Sequence, residues 1–223
     1  MPEFLRTLPD TFNPQSMIDL RNDKRTRNIV FFLRMFSVVF FVPLFAGVPL
    51  TFRYQEGFDP LYLWEFGLAG IPWLVSFLLL GVVVYLVAVI HELLHTAALF
   101  AMGARGFVFE IDGIAPRSYD ETTYLTRVGT LVYAATPFLL GSVLGVFFLL
   151  WVPDEYIAWA FLPAVANGVL SAADFVLVAW LLGVPRDGLC SILSDGTVAY
   201  GPGPGPESGR KGMRKQGTTR RRR

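Results

Sequence analysis

The chain has two histidines, and they stand four residues apart with a glutamate beside the first: Val89-Ile90-His91-Glu92-Leu93-Leu94-His95-Thr96. On an α-helix, side chains four residues apart share a face, so both imidazoles can converge on one ion. Zinc suits this H-E-x-x-H spacing, and its Lewis acidity makes water a usable nucleophile near neutral pH. Glu92 stands where it can take the proton from that water. Three ionisable side chains within five residues of an apolar run are costly to bury, which points to function. Catalytic zinc usually takes three protein ligands and keeps one position open, so a third ligand must come from elsewhere in the chain.

The elements that would bring it are apolar helices. Of 223 residues, 53% are apolar, 17% are charged and 20 are Phe. That is too little charge for a water-covered surface and too much apolar mass for disorder. A net charge of +1 argues against nucleic acid as a partner, and the single Cys190 excludes an intramolecular disulfide. A spanning helix needs about 20 mostly apolar residues. Four stretches qualify: about 29–50, 68–102, 128–151 and 156–184. The expected fold class is therefore an all-α polytopic membrane protein of about four transmembrane helices, with a short cytoplasmic β-hairpin-like loop. In that hairpin, Gly106–Gly113 turns at Asp-Gly and pairs with Tyr119–Tyr124. Residues 1–28 form a cytoplasmic N-terminal segment, in which Met17–Arg21 suits a short interfacial helix. Residues 29–190 form the membrane-embedded domain, and 191–223 a basic Gly/Pro-rich cytoplasmic tail, disordered from Gly201 onward.

Basic residues set the orientation. Arg6, Arg21, Lys24, Arg25 and Arg27 precede the first span, and Arg105, Arg117 and Arg127 lie in the second loop. The first loop has Arg53 against three acids, and the third has Asp154 and Glu155 alone. Both termini and the second loop are expected to be cytoplasmic, in a plasma membrane. Trp64, Trp73, Trp151 and Tyr156 read as an aromatic belt on the outer side, and Arg34 as a side chain that snorkels to water.

Depth narrows the choice of third ligand. From an outer entry at Pro72, His91 lies 19 residues down the second span, and from Tyr156, Asp174 lies 18 down the fourth. At 1.5 Å per residue these are roughly 28 and 27 Å, so the two are level. Asp154 and Glu155 are on the wrong face. Asp174 sits among Ser171, Ala172 and Ala173, small residues that allow close helix approach. Glu121 and, more remotely, Cys190 are the rivals. Asn167, seven residues before Asp174, shares its face and serves either a substrate and its oxyanion or a plain interhelical bond. Pro137 should kink the third span, shaping packing or opening a path for water.

An H-E-x-x-H helix with a later helix supplying Asp resembles the site-2 protease type of intramembrane zinc metalloprotease. In size and layout the chain is most similar to the small membrane proteins grouped as a "putative zincin peptidase" family, over roughly residues 70–190. The resemblance implies His91, His95 and Asp174 as zinc ligands, Glu92 as catalytic acid/base, and Asn167 in the place of an upstream asparagine. The chain departs from the site-2 pattern where Phe175 follows Asp174 and Gly168 follows Asn167. The expected function is a membrane-embedded Zn2+ metallopeptidase that cleaves membrane-protein or peptide substrates near the cytoplasmic face. The alternative is an inactive metal-binding membrane protein that holds helical clients. A metal transporter is poorly supplied with ligands.

Overall fold

The structure is a computed structural model and describes residues 4–53, 57–68, 70–113 and 115–202. Four helical stretches are long and apolar enough to cross a membrane: Lys24–Phe52, Trp73–Ala101, Arg127–Trp151 and Asp154–Leu181. α1 (Lys24–Phe52) begins where the Asp23 carboxylate accepts the backbone N–H groups of Arg25 and Thr26, donors that have no partner within the helix. α2 (Trp73–Ala101) ends at Gly103, whose φ of +92° lets the Ala104 N–H return to the Leu99 carbonyl at 3.0 Å. α3 (Arg127–Trp151) is capped by the Thr126 hydroxyl, which accepts the Gly129 N–H at 3.1 Å. Large apolar side chains point outward from these helices, with Phe32 69%, Val39 70% and Trp73 68% exposed. Such continuous apolar cover suits lipid rather than water.

The fourth stretch is interrupted for one residue. α4 (Ile157–Leu170) and α5 (Ala172–Leu181) meet at Ser171. Its hydroxyl and its N–H both donate to the Asn167 carbonyl, at 2.9 and 3.1 Å. Back-bonding of a serine hydroxyl to the carbonyl four residues earlier is a known cause of helix bending. Asn167 lies just before the break, and Asp174 in the first turn after it.

The chain is not all-α. Six strands form an antiparallel sheet: β1 (Phe4–Leu5), β2 (Phe12–Asp19), β3 (Val108–Asp112), β4 (Ala115–Thr126), β5 (Leu189–Ile192) and β6 (Gly196–Pro202). Their order is β1-β4-β5-β6-β2, with β3 on the first half of β4. The expected hairpin is present, pairing Phe109 with Ser118 and turning at Gly113, but it belongs to this larger sheet. Met17 and Ile18 are not helical: they pair with Val198 and Thr197. A ladder to a strand some 180 residues away in sequence overrides the local amphipathic pattern there. Residues 191–202, assigned from sequence to the tail, lie in or between β5 and β6, and 203–223 lie outside the described residues.

The connectivity fixes where the sheet sits. β2 leads into α1, α2 into β3, β4 into α3, and α5 into β5, so one end of all four helical stretches meets the sheet. Ile18, Leu125, Cys190, Ile192 and Ala199 of the sheet pack into one core with Leu99, Met102, Tyr133, Leu181 and Val184. A second core of Phe41, Phe45, Phe58, Leu63, Leu149, Ile157 and Phe161 lies apart from it. Near that core, Arg53 pairs with Asp154 and donates to the Val152 carbonyl at 2.7 Å, tying α1 to the turn between α3 and α4.

Candidate metal centre

His91 and His95, one turn apart on α2, are both almost fully buried. Their Nε2 atoms lie 3.1 and 3.2 Å from the two carboxylate oxygens of Asp174, one to each. The break at Ser171 starts α5 as a separate helix, and its first turn brings Asp174 to α2. The ligand atoms of His91, Glu92 and His95 all lie within 4.8 Å of one another.

The other ring nitrogens settle the tautomers. His91 Nδ1 lies 3.1 Å from Asn167 Oδ1, and Asn167 Nδ2 donates to the Pro137 carbonyl at 3.3 Å. That second bond fixes which end of the amide faces His91. His95 Nδ1 lies 3.0 Å from the backbone carbonyl of Tyr133, and the two rings stack with centroids 4.3 Å apart. Both acceptors are oxygens with no proton to give, so each Nδ1 carries the hydrogen. In the neutral rings both Nε2 lone pairs then face a carboxylate, an arrangement that either a proton on Nε2 or a metal ion held between them relieves. Tetrahedral zinc ligands at about 2.0–2.1 Å from the ion lie roughly 3.3 Å from each other. The 3.1 and 3.2 Å separations match that spacing. The donor set therefore fits zinc, with an outer layer of carbonyl oxygens that orients the rings.

The remaining candidates are elsewhere. Glu121 is exposed on β4. Asp120 is buried but accepts the N–H and hydroxyl of Thr122 and the hydroxyl of Thr123 at 2.7–2.8 Å, which occupies it in the irregularity between Asp120 and Leu125. Cys190 is enclosed in the sheet core, where burial pushes its thiol up to about 11, so it is no ready thiolate ligand. Asp154 is taken up by Arg53.

Residues that the sequence did not single out complete the surroundings. The Tyr133 hydroxyl donates to the Ser118 carbonyl at 2.9 Å, and the Ser118 and Thr96 hydroxyls are 2.8 Å apart. These bonds fasten β4 beside the histidine helix. In sequence Tyr133 is one more aromatic in an apolar span; only its neighbours in space give it a role. A cavity of about 520 Å³ opens on Glu92, His95 and Asp174 between α1, β4 and the β5–β6 turn.

No curated protein and no solved structure matches the chain. Residues 84–189 match a family described as "putative zincin peptidase", a span that contains every residue of the cluster but neither α1 nor β6. The match supports a zincin-like metallopeptidase, and zinc as the ion that the His91–Glu92–His95 group would hold.

Proposed function

We propose that this chain is a membrane-embedded zinc metallopeptidase that hydrolyses peptide bonds of membrane-protein or peptide substrates near the cytoplasmic face, with Asp174 as third ligand. One observation carries the reading: both Nε2 atoms converge on one carboxylate while carbonyl oxygens stand at hydrogen-bond distance from both Nδ1 atoms. When bound, zinc would supply the Lewis acidity that polarises the scissile carbonyl and water. His91, His95 and Asp174 would hold it. Asn167 and the Tyr133 carbonyl keep the rings turned toward it. Glu92, partly exposed on the cleft, accepts the proton from the attacking water and returns it to the leaving amine. A helical substrate must unwind locally, because its amides are engaged in its own hydrogen bonds.

The β4 edge has little to offer an added strand. Tyr133 already occupies the Ser118 carbonyl, and Pro116 has no N–H. The hairpin acts as a wall that fixes Glu92 and His95, and the substrate is gripped elsewhere in the cleft. The test is zinc content and peptide hydrolysis in reconstituted protein. Wild type should hold one zinc per chain and cleave; Glu92→Gln should keep the zinc and lose nearly all turnover. Equal turnover in the two proteins defeats the mechanism, and zinc without turnover in wild type leaves a metal-binding client holder.

A further inference from the structure

We propose that the cleft selects peptide segments bearing acidic side chains, an inference that names the substrate class and rests on the peptidase reading. α1 contributes Arg27, Val30, Phe31 and Arg34 to the cleft, the i, i+3, i+4, i+7 spacing of one helical face. Arg34 belongs to α1, whose most apolar 18-residue window has a mean hydropathy of 2.4. An ionisable residue in such a helix belongs on a water-filled cavity rather than in lipid, and this cavity is the one that holds Glu92 and His95. Neither Arg27 nor Arg34 has a carboxylate at ion-pair distance among the described residues. Arg21 and Arg117 also line the cleft and share a single carboxylate oxygen of Asp112, at 2.8 and 3.3 Å. Outside the metal cluster, Asp195 is the sole acid among the lining residues, so with Asp112 counted the four guanidinium groups meet two carboxylates, and Arg27 and Arg34 have no ion-pair partner among the described residues. Guanidinium is the cation whose planar fork fits a carboxylate. Between the two α1 arginines, Val30 and Phe31 leave room for apolar side chains.

The test measures binding, so that it does not depend on turnover. Glu92→Gln protein in uncharged phosphatidylcholine nanodiscs is titrated with a fluorescent peptide carrying two Glu beside an apolar core, and with versions carrying Gln or Lys instead. Exposed guanidinium–carboxylate contacts are worth a few-fold each, so the acidic peptide should bind roughly tenfold tighter than the Gln peptide at low salt, and less so at high salt. The charge swap Arg27→Glu with Arg34→Glu should reverse the order, and the single variants Arg27→Gln and Arg34→Gln should each lose part of it should the swap not fold. Equal affinities in wild-type arginine background, or an order unchanged by all of these variants, overturns the proposal. So does a swap that weakens only adhesion to anionic vesicles, which would make the arginines lipid anchors. Acidic preference without hydrolysis by the wild type removes the peptidase reading alone, and hydrolysis without charge preference removes this one alone.

From a separate observation we infer that Pro137 is a positioning residue for His95. A proline inside a helix has no N–H for the carbonyl four residues earlier, and in α3 that carbonyl is Tyr133's, the acceptor of His95 Nδ1 at 3.0 Å. The missing donor frees the oxygen to leave the helix ladder and hold the ring. Pro137→Ala restores the competing N–H. Zinc affinity should fall roughly tenfold, the low end for an outer-layer partner, and the His95 Nδ1–H signal in nitrogen-15 NMR should shift while that of His91 stays. Pro137→Gly should behave alike. Altered melting with unchanged zinc affinity and His95 signal in either variant would show a packing role only.

Discussion

Gly141→Ala offers a sharp test of whether Asn167 tunes the metal centre, because the three atoms nearest the added methyl all belong to Asn167. A Cβ at Gly141 would lie 2.4, 2.6 and 2.7 Å from Nδ2, Cγ and Oδ1 of Asn167. All are shorter than carbon contacts allow, and all belong to the far end of one side chain. Relief requires the Asn167 side chain to swing about χ1, which moves Cγ with the amide and breaks its bonds to His91 Nδ1 (3.1 Å) and to the Pro137 carbonyl (3.3 Å). At about 1 kcal/mol each, that loses about 2 kcal/mol. Alanine in place of glycine in a helix returns about 1 kcal/mol, leaving a net cost near 1 kcal/mol. Folding should barely change. The ring of His91, however, loses its orienting acceptor, and zinc affinity should fall roughly 10–100-fold. The assay is zinc competition against a chromogenic chelator, beside a thermal melt of the zinc-free protein. Asn167→Ala should weaken zinc to the same extent, and the double variant no further, since both act through one bond. A variant that melts earlier but binds zinc as wild type does would refute the reasoning and reduce Asn167 to packing.

Three more outcomes follow from the geometry. Asp174→Ala should leave purified protein nearly zinc-free by elemental analysis, a larger loss than the roughly 10–100-fold of an outer-layer change, whereas Glu121→Ala should keep its zinc; the reverse pattern would move the third ligand to β4. Cys190 should resist maleimide at pH 8 in the folded protein and react on unfolding, because burial raises its thiol from 9.0 to about 11. With the folded value above the unfolded one, this contribution to stability is complete below about pH 9 and is lost as pH rises through about 11, a trend that a pH series of melts on Cys190→Ala and wild type would isolate. Arg53→Met should cost about 1 kcal/mol, because the carboxylate partner is 36% exposed and solvent screens the pair, read as a slightly earlier melt with unchanged zinc content because the Arg53–Asp154 pair lies at the end of α1 away from the sheet.

How much of this was legible beforehand depended on whether the signal was local. Helical period and rise are fixed by backbone geometry, so the face shared by His91 and His95 and the equal depth of Asp174 follow from counting residues. Asn167 and Asp174 shared a face in sequence, and in space both reach His91, across a one-residue interruption at Ser171 that hydropathy cannot register. The sheet was the larger omission. β5 is four residues long and buried throughout, so it shows no alternation. β2 contains Pro14 and is irregular between Pro14 and Ser16, and β6 is bounded by Gly196 and Pro202. These strands exist because partners far away in the chain complete them, and composition carries no trace of such pairing. The Tyr133 carbonyl was hidden for a related reason: Pro137 announced a freed oxygen, but not which side chain would come to it.

The order in which this sheet can close bears on how the cleft is assembled. β2 precedes all five helices in the chain, yet among the described residues it pairs with β6 alone, from residues 196–202. Residues 192–197, which furnish one wall of the opening above the histidines, also arrive after α1–α5 have been made. Pairings across such sequence distances form late. A chain folded only as far as α5 would thus present His91, Glu92 and His95 in a trough open on one side, which gains its last wall when β5 and β6 dock.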